Sequence, residues 1–162
     1  MEFKIETYTP DDLDCVLRLS LRAWAPVFSS LKEVLGSAVF EELYPHWPLT
    51  QAETIEATCL AKQDSTWVAK HPDSGAVVGF VVLKLNEENN VGEIYMLAVD
   101  PKHQGQGIGT ALTHFALDIM KSRGMKTAMV ETGGDPGHEP ARATYEKAGF
   151  TVLPIARYFK RL

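Results

Sequence analysis

The sequence predicts an α/β chain of the mixed kind: a mostly antiparallel sheet of six to seven strands, flanked by helices. Three observations point there. A β-rich run, Val77 to Leu85, meets a polar turn at Glu87-Glu88-Asn89-Asn90, and a second run follows from Gly92 to Val99. A glycine-rich loop then opens a segment where Ile108, Leu112, Phe115 and Ile119 form one helical stripe. Before the β-rich part, Leu13, Val16, Leu17 and Leu21 already repeat at helical spacing.

In chain order, Phe3 and Ile5 alternate as a short first strand. Thr9-Pro10-Asp11-Asp12 reads as a helix start: Thr9 can cap, Pro10 suits the first turn, and the aspartates favour the positive helix end. Trp24-Ala25-Pro26 is expected to end or bend that helix. A second helix fits Leu31, Val34, Leu35, Val39 and Leu43, and a third fits Thr50 to Lys62. Thr66 to Ala69, Val77 to Leu85 and Gly92 to Val99 make an antiparallel meander. Gly124 stops the helix that follows it. Thr127 to Glu131 is a strand, Glu139 to Lys147 a short helix, and Phe150 to Phe159 a last strand, interrupted at Pro154.

The chain has 162 residues, and 1–162 reads as a single domain with no repeat or linker. A domain of this size buries a core without disulfides or metals. Net charge is −5 and the pI is about 5.5, which argues against nucleic acid as a partner and suits a cationic substrate such as an amine. Cys15 and Cys59 are far apart and read as free thiols of a reducing compartment. No secretory leader or membrane-length apolar stretch is present, so a cytoplasmic location is expected.

The loop Gln104-Gly105-Gln106-Gly107-Ile108-Gly109 carries the chemistry. Glycines let a backbone approach a ligand and turn its amides inward. A helix N-terminus adds unpaired N–H groups and partial positive charge, a setting for an anion such as a pyrophosphate. A tight strand-to-helix turn without a ligand has the same spacing. A Walker loop needs a Gly-Lys-Ser/Thr ending that is lacking here, and a Rossmann loop needs GxGxxG after an early strand.

The loop matches the signature Gln/Arg-x-x-Gly-x-Gly/Ala, and Tyr145-Glu146-Lys147-Ala148-Gly149-Phe150 lies about 40 residues on. In both respects the chain resembles the GNAT superfamily of N-acetyltransferases. The resemblance implies a sheet splayed at a cofactor cleft and acetyl-CoA as the acyl donor. It implies that the backbone of Leu97, Ala98 and Val99 binds the pantetheine arm. The segment from Gln104 through Gly105, Gln106, Gly107, Ile108 and Gly109 to Thr110 would hold the pyrophosphate. Tyr145 would lie near the thioester sulfur and protonate the departing thiolate, a task suited to a phenol with an ordinary pKa near 10. Where the family often has asparagine, seven residues before that tyrosine, this chain has His138, which can contact the arm or act as a base.

The acceptor implied is a primary amine, of a small molecule or a peptide, attacking directly in a ternary complex. An alkylamine is mostly protonated at neutral pH, so a base must take its proton. Glu93 is the first candidate and is expected to share one strand face with Tyr95 and Leu97. Glu131 is its rival. Trp24 and Phe28 are the expected acceptor-pocket residues, and Glu131 adds negative charge there. Among other readings, a cysteine nucleophile lacks an adjacent histidine. The five histidines show no metal-ligand spacing, so no metal is expected. A non-catalytic acyl-CoA-binding or regulatory module is the alternative from another class, and it would need neither Tyr145 nor a carboxylate. Self-association as a homodimer through the last strand is compatible with the pattern.

Overall fold

The computed structural model describes residues 2–162. Five strands form one sheet in sequential order: β1 (Lys4–Thr7), β2 (Thr66–Lys70), β3 (Val77–Asn86), β4 (Val91–Val99) and β5 (Thr127–Val130). The first four are antiparallel neighbours, and β5 joins β4 in parallel. The parallel step requires a crossover, which is the helix α4 (Ile108–Ser122). The mixed, mostly antiparallel sheet agrees with the predicted class, with five strands in place of six to seven.

Two helical layers cover the two faces. On one face α1 (Leu13–Leu35) and α3 (Trp47–Ala61) pack Val16, Leu19, Ile55 and Cys59 against Phe80, Val82, Met96 and Ala98. On the other, α4 packs Ile108, Leu112, Ala116 and Met120 against Val78, Val81, Leu83 and Ile94. The short helix α5 (Glu139–Lys147) adds Tyr145 to that second cluster. The long strand β3 is buried on both faces from Val77 to Leu83, which explains its unbroken apolar run.

The predicted N-terminal capping holds: the Thr9 amide donates to the Asp12 carboxylate at 3.0 Å, and Asp12 is in turn 2.9 Å from the Lys70 ammonium. Two expectations need correction. Pro26 does not end α1, which runs on to Leu35, because one lost amide in a long helix held by packing does not outweigh its neighbours. The break comes at Gly36, whose φ of 77° suits glycine, and α2 (Ser37–Leu43) follows. The last strand is also absent: residues 151–162 form neither strand nor helix. Pro154 offers no amide there, and the side chains from Val152 to Phe159 are exposed. Among the described residues no helix is long and apolar enough to cross a membrane.

Candidate active site

The ladder between β4 and β5 ends at Ile94 and Val130, while β4 continues to Val99 beside β3. Beyond Ile94 the strand therefore has a neighbour on one side only. Leu97, Ala98 and Val99 lie in this opened stretch. Strand groups left unpaired in this way are a ready template for an extended ligand. The Gln104 side chain reaches back, its amide donating to the Val99 carbonyl at 3.2 Å.

The pairing also slips within β4. Val82 opposes Met96, yet Leu83 opposes Ile94, so Tyr95 is an extra residue, a β-bulge. The bulge reverses the alternation. Gly92 lies against Met120 of α4 and Ile94 belongs to the α4-side core, so Glu93 points to the α1 face. Tyr95 packs on the α1 side too, whereas Leu97 packs on the α4 side. Glu93 and Tyr95 thus share a face as expected, and Leu97 does not. Lys84, opposite Glu93, sets its ammonium 3.2 Å from the centre of the Tyr95 ring.

From Val99 the chain turns at Asp100 into the glycine loop. The Asp100 carboxylate accepts from the Lys102 amide at 3.1 Å and pairs with the Arg22 guanidinium of α1. Burial alone would raise this carboxyl, but Arg22 and the backbone amide hold it below its ordinary range. Gly105 and Gly107 have φ of 74° and 83°, and a β-carbon on either would meet open space. Backbone conformation, not crowding, is what demands glycine there. Gly107 caps α4, and the amides of Ile108, Gly109 and Thr110, having no carbonyl one turn before them, face outward. Gln106 on that loop and Thr110 in the first turn of α4 are exposed.

Tyr145 sits on α5 in the α4-side core, edge-on to Phe150 with ring centres 5.8 Å apart. Burial pushes its phenol up to about 12, which keeps it a neutral proton donor throughout the physiological range. Two turns before it, His138 caps α5, and its Nδ1 meets the Asp135 carboxylate. Asp135 is itself gripped by the Ser30 hydroxyl at 2.7 Å and the Gly137 amide at 3.0 Å. Burial would raise the Asp135 carboxyl, and the Ser30 and His138 contacts more than reverse that.

The remaining candidates scatter. Glu131 is exposed and lies 3.7 Å from Arg157. Trp24 is half-buried and packs against Phe80 and the α1-side core. Phe28 stacks on Trp47 with centres 4.4 Å apart and meets Tyr44 edge-on at 5.5 Å. With Phe40, Lys32 and Pro48 these three line an open groove of about 360 Å³. Cys59 is fully buried and its thiol is pushed up to about 11, the opposite of an activated nucleophile.

Sequence reading overlooked Arg22, Ser30 and Asp135. Arg22 and Ser30 lie on an ordinary helical face, and their partners are 78 and 105 residues away. Asp135 could have been noticed, since Asp-Pro-Gly-His sets a carboxylate three residues before an imidazole.

Comparison with known proteins narrows the field. The profile of the acetyltransferase (GNAT) family matches residues 28–150. A mycothiol acetyltransferase from Beutenbergia cavernae is 40% identical over 89 residues, 55% of this chain and 29% of that protein. A mycothiol acetyltransferase from Amycolatopsis mediterranei is 31% identical over 157 residues, 91% of this chain and 46% of that protein. The chain therefore spans half or less of the length of these two relatives. Among solved structures, the PaiA N-acetyltransferase from Thermoplasma acidophilum in complex with coenzyme A superposes with a TM-score of 0.73 at 20% identity, covering 96% of this chain and 94% of that one.

Proposed function

Since the chain belongs to the acetyltransferase (GNAT) family, we propose that residues 1–162 act as one unit that transfers an acetyl group from acetyl-CoA to a primary amine. The observation that carries this reading is a set of three features that belong to β4 and to the layer of α4 and α5 beside it. These are the opened side of β4 from Tyr95 to Val99, the outward amides of the Gly105–Thr110 turn, and the buried phenol of Tyr145 on the same side of the sheet.

The pantetheine arm lies along Leu97, Ala98 and Val99 as an added strand, and the pyrophosphate rests on the α4 N-terminus, where amides and helix dipole favour an anion. The amine attacks the thioester carbonyl carbon directly, and the carbon–sulfur bond breaks. Tyr145 gives its proton to the departing sulfur, a role open to it because its phenol stays protonated. Glu93 presents a carboxylate on the α1 face, beside the point where β4 and β5 part. It draws a cationic amine toward the cleft and is one of the groups able to receive its proton. The Phe28–Tyr44–Trp47 groove on the α1 side offers aromatic faces to the body of the acceptor.

Calorimetric titration with acetyl-CoA, and separately with NAD and ATP, tests the reading. Selective binding of acetyl-CoA, followed by thiol release with a panel of small amines and lysine peptides, is the expected result. A folded protein that ignores acetyl-CoA and longer acyl-CoAs would overturn it.

A further inference from the structure

The loop before α5 holds more order than a cofactor contact needs. Asp135 carries its side chain 94% buried (6% exposed) and spends both oxygens: Oδ1 on His138 Nδ1, Oδ2 on the Ser30 hydroxyl and the Gly137 amide. Ser30 is held in turn by that same amide, which donates to its Oγ at 2.9 Å. Arg142 bonds the carbonyls of Gly133 and Asp135 at 2.6 and 2.7 Å, fixing the backbone around them. The fit leaves no slack. A β-carbon on Gly133 would stand 2.3 Å from Asp135 Oδ1 and 2.4 Å from His138 Nδ1, and one on Gly137 would stand 2.6 Å from Ser30 Cβ.

A carboxylate on Nδ1 fixes the imidazole tautomer: Nδ1 carries the proton and Nε2 keeps a lone pair. Nε2 has no hydrogen-bond partner among the described residues. It is also absent from the buried unpaired atoms, so it opens to solvent. The serine is bonded to the carboxylate and not to the imidazole, so the three do not form a nucleophile–base–acid line. What they present is an oriented base. It stands seven residues from Tyr145, and two helical turns return to nearly the same face, about 10 Å along the axis.

We infer that His138, oriented by Asp135 and Ser30, is the general base that takes the proton of the attacking amine. This rests on the acetyl-transfer reading above. As the nitrogen–carbon bond forms and the carbon–sulfur bond breaks, the amine proton passes to His138 Nε2 and the Tyr145 proton to sulfur. The imidazolium then returns its proton through solvent to the Tyr145 phenolate, and the enzyme is restored. An imidazole suits this step better than a carboxylate, because it is the stronger base of the two and the side chain most often used for such a transfer. Glu93 then attracts the ammonium form, which gives its extra proton to solvent before attack, and His138 receives the proton released as the amide forms. Asp135 and Ser30 are positioning residues.

The test uses the full chain, acetyl-CoA and whichever panel amine the wild type turns over fastest. In His138→Gln, kcat falls about 100-fold or more. The limb of the rate profile that a base produces at low pH disappears, and the acetyl-CoA Kd stays within about threefold. Asp135→Asn shows the same loss in part, and its nitrogen NMR spectrum shows His138 no longer fixed with the proton on Nδ1. Unchanged kcat with a weakened acetyl-CoA Kd would make His138 a cofactor contact and overturn the inference. So would a wild-type spectrum with the proton on Nε2, a measurement that needs no turnover and covers a variant that fails to fold. A wild type that binds no acyl-CoA overturns the acetyl-transfer reading instead, whatever the tautomer.

Discussion

Arg22, near the middle of α1, holds the carboxylate of Asp100, the residue at which β4 turns into the glycine loop. The pair ties α1 to the start of the proposed pyrophosphate cradle. Asp100 is nearly buried and Arg22 is about half exposed. Replacing Arg22 with Gln leaves a buried carboxylate with one backbone donor. The expected loss is about 1–2 kcal/mol, discounted for the exposed guanidinium. Urea unfolding measures it, with a lowered midpoint and an unchanged slope.

The same pair predicts a pH dependence with a definite sign. The folded Asp100 carboxyl titrates below its unfolded value. Its contribution is therefore present above the unfolded value of about 3.9 and is lost as pH falls through the lower folded value. Wild-type stability declines as the medium is acidified below about pH 5, and Asp100→Asn, already weaker at neutral pH, declines less steeply. Parallel curves for the two proteins would assign the acid loss to other carboxylates, Asp135 first among them.

Gly107 carries the clearest backbone requirement in the loop. Its φ of 83° and the empty space around a β-carbon mean that only conformation opposes a side chain. Alanine there costs about 1–2 kcal/mol or shifts the turn, and the outward amides of α4 move with it. Asparagine tolerates this region better. Gly107→Ala is expected to weaken acetyl-CoA binding about tenfold and Gly107→Asn much less, as read by calorimetry. Equal losses would mean that the ligand, not the backbone, excludes the side chain.

These residues also show what sequence could and could not give. The loop and Tyr145 were legible because each is a local pattern: glycines where a strand meets a helix, and an aromatic at a fixed place on a short helix. The face of Leu97 was misread because a bulge at Tyr95 leaves no mark in the alternation of Glu93, Tyr95 and Leu97. The expected last strand looked apolar enough, but strand formation needs a partner edge, which no local pattern reports. Trp24 and Phe28 look alike in sequence, and only the packing separates a core ring from a groove wall. The Ser30–Asp135 bond, like that of Arg22, joins segments whose meeting is decided by the whole fold.

Tyr145 and Phe28 divide the last prediction between chemistry and acceptor recognition. Tyr145→Phe keeps the ring against Phe150 and removes only the hydroxyl, so folding and acetyl-CoA affinity are expected to stay near wild type. The loss falls on kcat, about 100-fold, because the thiolate then leaves without a proton donor. A donor with less basic thiolate, such as an aryl thioester, narrows that gap, since its leaving group needs no proton. Phe28→Ala opens the groove, where the ring stacks on Trp47. It raises the acceptor KM about tenfold and leaves the acetyl-CoA Kd unchanged, consistent with about 1.4 kcal/mol of lost contact. Steady-state kinetics with each substrate varied in turn separates the two. A Tyr145→Phe enzyme at full kcat removes the phenol from the mechanism, and an unchanged acceptor KM in Phe28→Ala removes the groove from acceptor recognition.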